Sequence, residues 1–222
     1  MRLSLDRTEL ELRPERAAVL VEHRTLLIAD VHLGRVAHMR RAGISLPIEA
    51  ARADLDRLSA LRAAVDPAHI VFLGDLFHSD PNEEWELFAD WLGQQANVRY
   101  TLVAGNHDRA FLRTHSSMPG LEVTDRLEVN DLTLIHEPDV VNEGWAICGH
   151  VHPGVKVASG PRSQVRIPCF HLRAAERCLI LPAFSALAGK HVRTPAPDDR
   201  VVGVYEGRLV DLTPEGSRGS SS

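Results

Sequence analysis

No uninterrupted apolar run in this 222-residue chain approaches the ~20 residues that a membrane-crossing helix needs. The opening stretch, Met1 through Arg16, is charged throughout and does not read as a targeting segment. Cysteine is scarce: Cys148, Cys169 and Cys178 form an odd set without Cys-x-x-Cys spacing, which argues against a disulfide framework and for a reducing compartment. A cytoplasmic protein without a membrane partner is therefore expected. Positive charge is also in deficit. Lys and Arg total 25 against 30 Asp and Glu, a formal net charge of −5. That balance excludes a broadly basic nucleic-acid binder, while leaving room for local Arg clusters or bound cations to reverse the field at one face. The charge is unevenly spread: Asp75, Asp80, Glu83, Glu84, Glu86 and Asp90 follow one another without Lys or Arg, whereas Lys156, Arg162, Arg166, Arg173 and Arg177 are interrupted by Glu176 alone. Such a run is most often a solvated face, and it is compatible with an anionic substrate. No internal repeat is present and low complexity is confined to the end of the chain, so residues 1–215 are expected to form one domain, with 216–222 a disordered tail.

What is present is a series of short apolar runs that stop at polar or glycine-bearing clusters: Leu26–Ala29, Ile70–Leu73, Tyr100–Val103, Leu132–Ile135 and Trp145–Cys148. Short, β-rich runs of this kind read as buried strands. Between the first two, Ile48, Ala51, Leu55, Leu58, Leu61 and Val65 recur at helical spacing behind Pro47, which predicts an amphipathic crossover helix. A second helix is expected over Glu83–Gln95, with acids in its first turn and Trp85, Phe88, Trp91 and Leu92 as its apolar face. Beyond about residue 120 strands and turns dominate, ending in a hairpin of Val201–Tyr205 and Arg208–Leu212 joined through Glu206-Gly207.

The strand ends carry the chemistry. They deliver Asp30-Val31-His32, Gly74-Asp75, Gly105-Asn106-His107-Asp108, His136 and Gly149-His150-Val151-His152. In open α/β sheets the loops beyond the carboxyl ends of strands converge, so these clusters are expected to meet. Carboxylate, imidazole and amide oxygen without thiolate suit Mn²⁺, Fe, Zn²⁺ or Ni²⁺. An extended chain would place Asp30 and His32 on one side, and His150 and His152 share that spacing. Glycine before Asp75, Asn106 and His150 permits a tight turn and a close backbone approach. Each fragment alone has an ordinary explanation: Gly-Asp is a common turn, and a lone His136 on an apolar strand is most often a satisfied core histidine. Their joint occurrence in this order is what points to a metal site.

In that order the fragments match D-x-H, G-D, G-N-H-[DE], H and G-H-x-H, and the chain resembles the calcineurin-like metallophosphoesterases over roughly residues 26–152. The resemblance implies a four-layer α/β/β/α sandwich with two mixed sheets and two divalent ions, Mn²⁺ foremost. It assigns Asp30, His32, Asp75 and His152 to the first ion and Asp75, Asn106, His136 and His150 to the second, with Asp75 bridging. It further implies a phosphoesterase that uses a metal-bridging hydroxide. His107 becomes the candidate to stabilise or protonate the leaving oxygen, with Asp108 either orienting its ring or capping a helix before Ala110-Phe111-Leu112.

A narrower resemblance rests on Ala29–Gly34, His38–Ile44, Gly74–Ser79, Pro168–Phe170 and Leu181–Gly189: the chain looks like the DNA-ligase-associated metallophosphoesterases, a bacterial family linked to DNA repair. It implies a phosphodiesterase or nuclease acting on DNA, with repair proteins such as a ligase or helicase as partners. Arg35, His38, Arg40 and Arg41 follow the first ligand motif and are candidates to grip flanking phosphates, with His78 and Arg109 beside the other motifs. For Arg40 and Arg41 the alternative is a pair of ordinary solvated loop residues. Two other classes stay open: an enzyme acting on a small nucleotide or other small phosphate ester, and a non-catalytic scaffold. The scaffold is disfavoured because no ligand of the signature is missing.

Overall fold

A computed structural model describes residues 1–47, 49–78, 83–94, 97–113, 118–160 and 163–214. The expected tail at 216–222, together with Ile48, Gln95 and Arg162, lies outside them. The chain opens on three antiparallel strands, β1 (Arg2–Leu5), β2 (Thr8–Arg13) and β3 (Ala17–Leu20), the last pairing with β4 (Thr25–Ile28). Helices α1 (Arg35–Arg41) and α2 (Glu49–Val65) follow, then β5 (His69–Phe72), α3 (Glu83–Gly93), β6 (Arg99–Val103), α4 (Asn106–Leu112) and β7 (Leu121–Thr124). From β4 to β7 the pairing is parallel, so β1 to β7 form one seven-stranded mixed sheet in sequence order.

The second sheet is built from β8 (Leu127–Val129), β9 (Leu132–Leu134), β10 (Trp145–Cys148), β11 (Pro153–Gly160), β12 (Ser163–Arg173), β13 (Cys178–Ile180), β14 (His191–Val192), β15 (Arg200–Tyr205) and β16 (Arg208–Asp211). Its order is β14-β11-β12-β13-β10-β9-β8, with β15 on β12 and β16 on β15. The closing hairpin turns through Glu206 and Gly207, both with positive φ, as a two-residue hairpin turn of this hand requires.

Two-residue alternation divides the core. From β4 and β5, Leu26, Ile28, Ile70 and Phe72 face α2 and α3, where they meet Leu55, Leu58, Phe88 and Trp91. Their neighbours Leu27, Ala29, Val71 and Leu73 face the second sheet and pack on Leu134, Ile147, Phe170 and Leu179. A smaller cluster of Ala146, Cys148, Cys178 and Ile180 lies on the outer face of the second sheet, against Ile135, Val141 and Val151. The result is an α/β sandwich of two mixed sheets with few helices. The three cysteines are buried and free, with the sulfurs of Cys148 and Cys178 3.6 Å apart.

Candidate metal centre

The loops after β4 and β5 are laced together. Asp30 N–H donates to the Gly74 carbonyl at 3.1 Å, His32 N–H to that of Asp75 at 2.9 Å, and Leu33 N–H to that of Leu76 at 2.8 Å. This ladder brings the first two motifs side by side at the end of the first sheet. The second sheet is tied in through Asp30, whose carboxylate oxygens accept the His150 N–H at 3.1 and 3.0 Å, and through His136, whose ring reaches the Leu73 carbonyl after β5.

The ligand motifs are not extended, contrary to the expectation for Asp30-Val31-His32. Asp30, His32, Asp75, His150 and His152 all have φ between 49° and 66°, a left-handed region that non-glycine residues visit at a cost. The strands end before these residues. A kinked backbone, not alternation, aims the side chains. Spacing is likewise not what groups the histidines, because His152 joins Asp30 and His32 while His150 joins Asp75 and His136.

In the first group, His32 Nε2 and His152 Nε2 are 3.2 Å apart and Asp30 Oδ1 is 3.4 Å from His152 Nε2. In the second, His136 Nδ1 donates to the Leu73 carbonyl at 2.9 Å, which leaves the Nε2 lone pair pointing inward. That nitrogen lies 3.2 Å from Asn106 Oδ1, 3.1 Å from His150 Nδ1 and 3.4 Å from Asp75 Oδ1. Acceptors thus converge on acceptors, from buried Asp30, His32, Asp75 and His136 out to exposed Asn106 and His150, an arrangement that a shared cation satisfies. The buried His32 Nδ1, without a hydrogen-bond partner, is a further polar atom that the protein alone does not satisfy. Close packing leaves no slack around the groups: a Cβ on Gly74 would lie 2.1 Å from His136 Nδ1, and one on Gly149 would lie 2.6 Å from Asp30 Oδ2. The donor set is O and N without sulfur, which fits a hard or borderline divalent ion. The Asp75 side chain lies with the second group.

His107 sits at the rim. Its N–H donates to Asp75 Oδ1 at 3.1 Å, and its Nε2 lies 3.9 Å from Asp75 Oδ2 with the side chain 40% exposed. Asp108 does not reach that ring. It is fully buried inside the first turn of α4, and its two oxygens accept the N–H of Phe77 at 3.0 Å and of Gly105 at 2.9 Å. Burial pushes its pKa up to about 6 despite those two donors. The geometry makes it a clamp between the second and third motifs.

A corner of histidine rings beside Arg35 adjoins the first group. The His78 ring is 5.2 Å from His32, 5.1 Å from His38 and 5.0 Å from His107. Burial first, and then neighbouring His152, His78, Arg35 and His107, push His32 down to about 2. Burial, Arg35, His107 and His38 push His78 down to about 4. Arg35, half-buried, has a buried Nε without a hydrogen-bond partner. Arg40 and Arg41 are exposed on the last turn of α1, which is a helix where a loop was the alternative. Arg109 is committed to Asp125 at 3.0 Å. It lines an open groove with Asn106, Asp125, Arg126, His136 and Val140 that leads away from the second group.

Several supporting residues were missed in the sequence. Glu84 of α3 accepts the Gly34 N–H at 2.6 Å and so anchors α1. Phe184 and Ser185 donate their N–H groups to the carbonyls of Ala29 at 2.8 Å and Asp30 at 3.3 Å. Ser185 Oγ donates to Asp54 at 2.9 Å, and Arg57 donates to the Phe184 carbonyl at 2.9 Å. The segment Leu181–Gly189 stands out in the sequence, but its role as a latch on a candidate ligand loop depends on α2, far away in the chain.

With this geometry in hand, residues 23–172 match the family model described as calcineurin-like phosphoesterase. Among solved structures, the Pseudomonas putida nuclease MPE superposes with a TM-score of 0.77 at 27% identity, covering 96% of this chain and 99% of that one. The Escherichia coli phosphoesterase Yfce gives 0.41 at 14% identity, over 85% and 98%. Vps29 from Entamoeba histolytica, complexed with zinc, gives 0.35 at 16%, over 84% and 98%. No curated protein matches the chain.

Proposed function

The chain belongs to the calcineurin-like phosphoesterase family, and from that premise we propose that it is a nuclease, a phosphodiesterase hydrolysing DNA with the help of two divalent cations. The observation that carries this reading is the pair of acceptor clusters, Asp30/His32/His152 and Asp75/His136/His150, set side by side with Asn106 on the second. Likeness to a protein named as a nuclease, over nearly all of both chains, supports a nucleic acid as the substrate.

In this reading Asp30, His32, Asp75 and His152 hold one ion and Asp75, Asn106, His136 and His150 the other, with Asp75 shared. Bound there, divalent ions supply charge that polarises a phosphoryl oxygen and acidify water. His107, exposed at the rim over Asp75, is placed to give a proton from its ring to the departing ester oxygen. His32 and His136 must be neutral to bind metal, and burial keeps His32 so. Arg35 supplies the positive charge of the wall that receives the phosphate's non-reacting oxygens, with the rings of His38 and His78 beside it, while Arg40 and Arg41 reach neighbouring phosphates. Manganese is the preferred metal. The segments shared with the DNA-ligase-associated family support a cytoplasmic role in DNA repair, beside a ligase or helicase.

The test compares the Mn²⁺-loaded protein on bis(p-nitrophenyl) phosphate and on single-stranded DNA, before and after Arg40 and Arg41 are both replaced by Ala. DNA cleavage should weaken, and its dependence on salt should flatten, because fewer counterions are released. The small diester, lacking flanking phosphates, should be hydrolysed as before. No cleavage of DNA by the parent protein would sink the nuclease reading.

A further inference from the structure

The acid balance of the chain breaks down in one place. No Asp or Glu occurs between Glu143 and Glu176, or between Glu176 and Asp198, and the chain's two lysines, Lys156 and Lys190, both fall there. The first of these stretches contains the β11–β12 hairpin, which starts directly after His152.

Strand register shows where the hairpin goes. Cys148, the last residue of β10 before the His150 motif, is level with Ile180, and Ile180 is level with His171 of β12. The part of β12 that precedes His171 therefore lies beyond the end of β10, on the side where the metal groups sit. Alternation then orients its faces. Phe170 and Leu172 face the core between the sheets. Pro168 and Arg166 continue that face, turned toward the first sheet, where the core has ended and Arg166 is exposed. Lys156 is directly opposite Arg166, and Gly154 directly opposite Pro168. A Cβ on Gly154 would lie 2.8 Å from Lys190 Cβ, so Lys190 covers this same face next to His152. His191 N–H donates to the His152 carbonyl at 2.9 Å, which fixes the lysine's strand to the ligand loop.

Two cations directly opposite each other on an antiparallel pair repel and destabilise it. Among the described residues neither Lys156 nor Arg166 has an acidic partner, whereas Arg173 is paired with Glu176 and Arg177 with Asp6. Lys156 lies four residues past His152 along an extended strand, roughly 13 Å.

We propose that the face of the β11–β12 hairpin carrying Lys190, Lys156 and Arg166 is the track on which the sugar-phosphate backbone of a nucleic-acid strand runs as it leaves the metal centre past His152. The inference rests on the nuclease reading and gives it a direction: the strand extends along the second sheet, on the side away from the groove by Asn106. Phosphates on the strand supply the counter-charge that the Lys156–Arg166 pair lacks. The backbone is gripped by charge, so the track is indifferent to base sequence.

Because the chain has two lysines, amine acetylation followed by mass spectrometry reads this face directly. Oligothymidylate bound to the Mn²⁺-loaded protein should slow acetylation of Lys156 and Lys190 several-fold while leaving the α-amino group of Met1 unchanged. The double variant K156Q/R166Q should bind oligothymidylate at least 10-fold more weakly in fluorescence anisotropy. Its salt slope should fall by about 1.4, at about 0.7 per lost phosphate contact. Hydrolysis of bis(p-nitrophenyl) phosphate should stay within two-fold, and Tm should hold or rise, because a like-charge pair has been removed. R208Q, on the closing hairpin, should leave the slope unchanged. Bound DNA with both lysines acetylated at the free rate, or an unchanged slope in the double variant, overturns the track and leaves the nuclease reading intact. A parent protein that hydrolyses the small diester but neither binds nor cuts DNA overturns both.

Discussion

Five candidate ligands are held with positive φ, a conformation costing about 1–3 kcal/mol for each non-glycine residue. Backbone hydrogen bonds to neighbouring motif residues sustain it, so the strain and the site are one construction. The roles of individual side chains within it separate by experiment. His107 contributes its ring at the rim and stands outside the acceptor clusters, so His107→Ala should retain both metals by elemental analysis and lose about 10²- to 10⁴-fold in kcat, the range for a general acid. Loss of metal along with activity would make it a ligand instead. Acid sensitivity follows from His32 and His78, whose folded-state pKa values lie near 2 and 4. An unfolded chain takes up those protons below about pH 6.5, where the folded metal-free protein does not. The unfolded state then binds more protons, so stability falls as pH drops from 6.5. The His78 contribution levels off near pH 4 and that of His32 continues toward pH 2. Thermal melts of metal-free protein from pH 7.5 to 5 should show a declining Tm, with a shallower decline in His78→Gln. A flat profile would contradict the burial of these rings.

The elements that carry the motifs were legible because each is a short buried strand with a sharp end. β4, β5, β6, β9 and β10 fall within a residue or so of the apolar runs that announce them. The first two strands were not read, although their signal is present: Leu3, Leu5, Leu10 and Leu12 are buried while Arg2, Ser4 and Glu9 are exposed and Glu11 is half-buried. The density of charge masked a two-residue period. α1 gave no such signal. It is seven residues long, basic, and buries only Val36, so no apolar stripe marks it and its stability comes from elsewhere. Glu84 supplies it across fifty residues of chain by accepting the Gly34 N–H. Removing that carboxylate strands a buried donor at a cost of about 1–3 kcal/mol. In Glu84→Ala, Tm should fall accordingly, and amides of α1 should lose hydrogen-exchange protection before those of α2. Equal loss in both helices would deny Glu84 this local role.

At the scale of the molecule, two sheets that differ in topology each contribute half of the candidate centre. The first sheet delivers Asp30, His32, Asp75 and Asn106, and the second delivers His136, His150 and His152. Neither half is complete alone, and the core between the sheets is what registers one against the other. The sequence motifs identified the participants. Which histidine joins which carboxylate was implied by family resemblance, since spacing alone would have paired His150 with His152, and only the packed sheets bring each to its group. We propose that these groups hold two cations. This is tested most directly by crystals grown with saturating Mn²⁺ and measured for anomalous scattering at the manganese edge. Two peaks are expected, one bounded by Asp30, His32 and His152 and the other by Asn106, His136 and His150, with Asp75 touching both. A single peak, or manganese bound elsewhere with these acceptors left facing one another, would contradict the proposal.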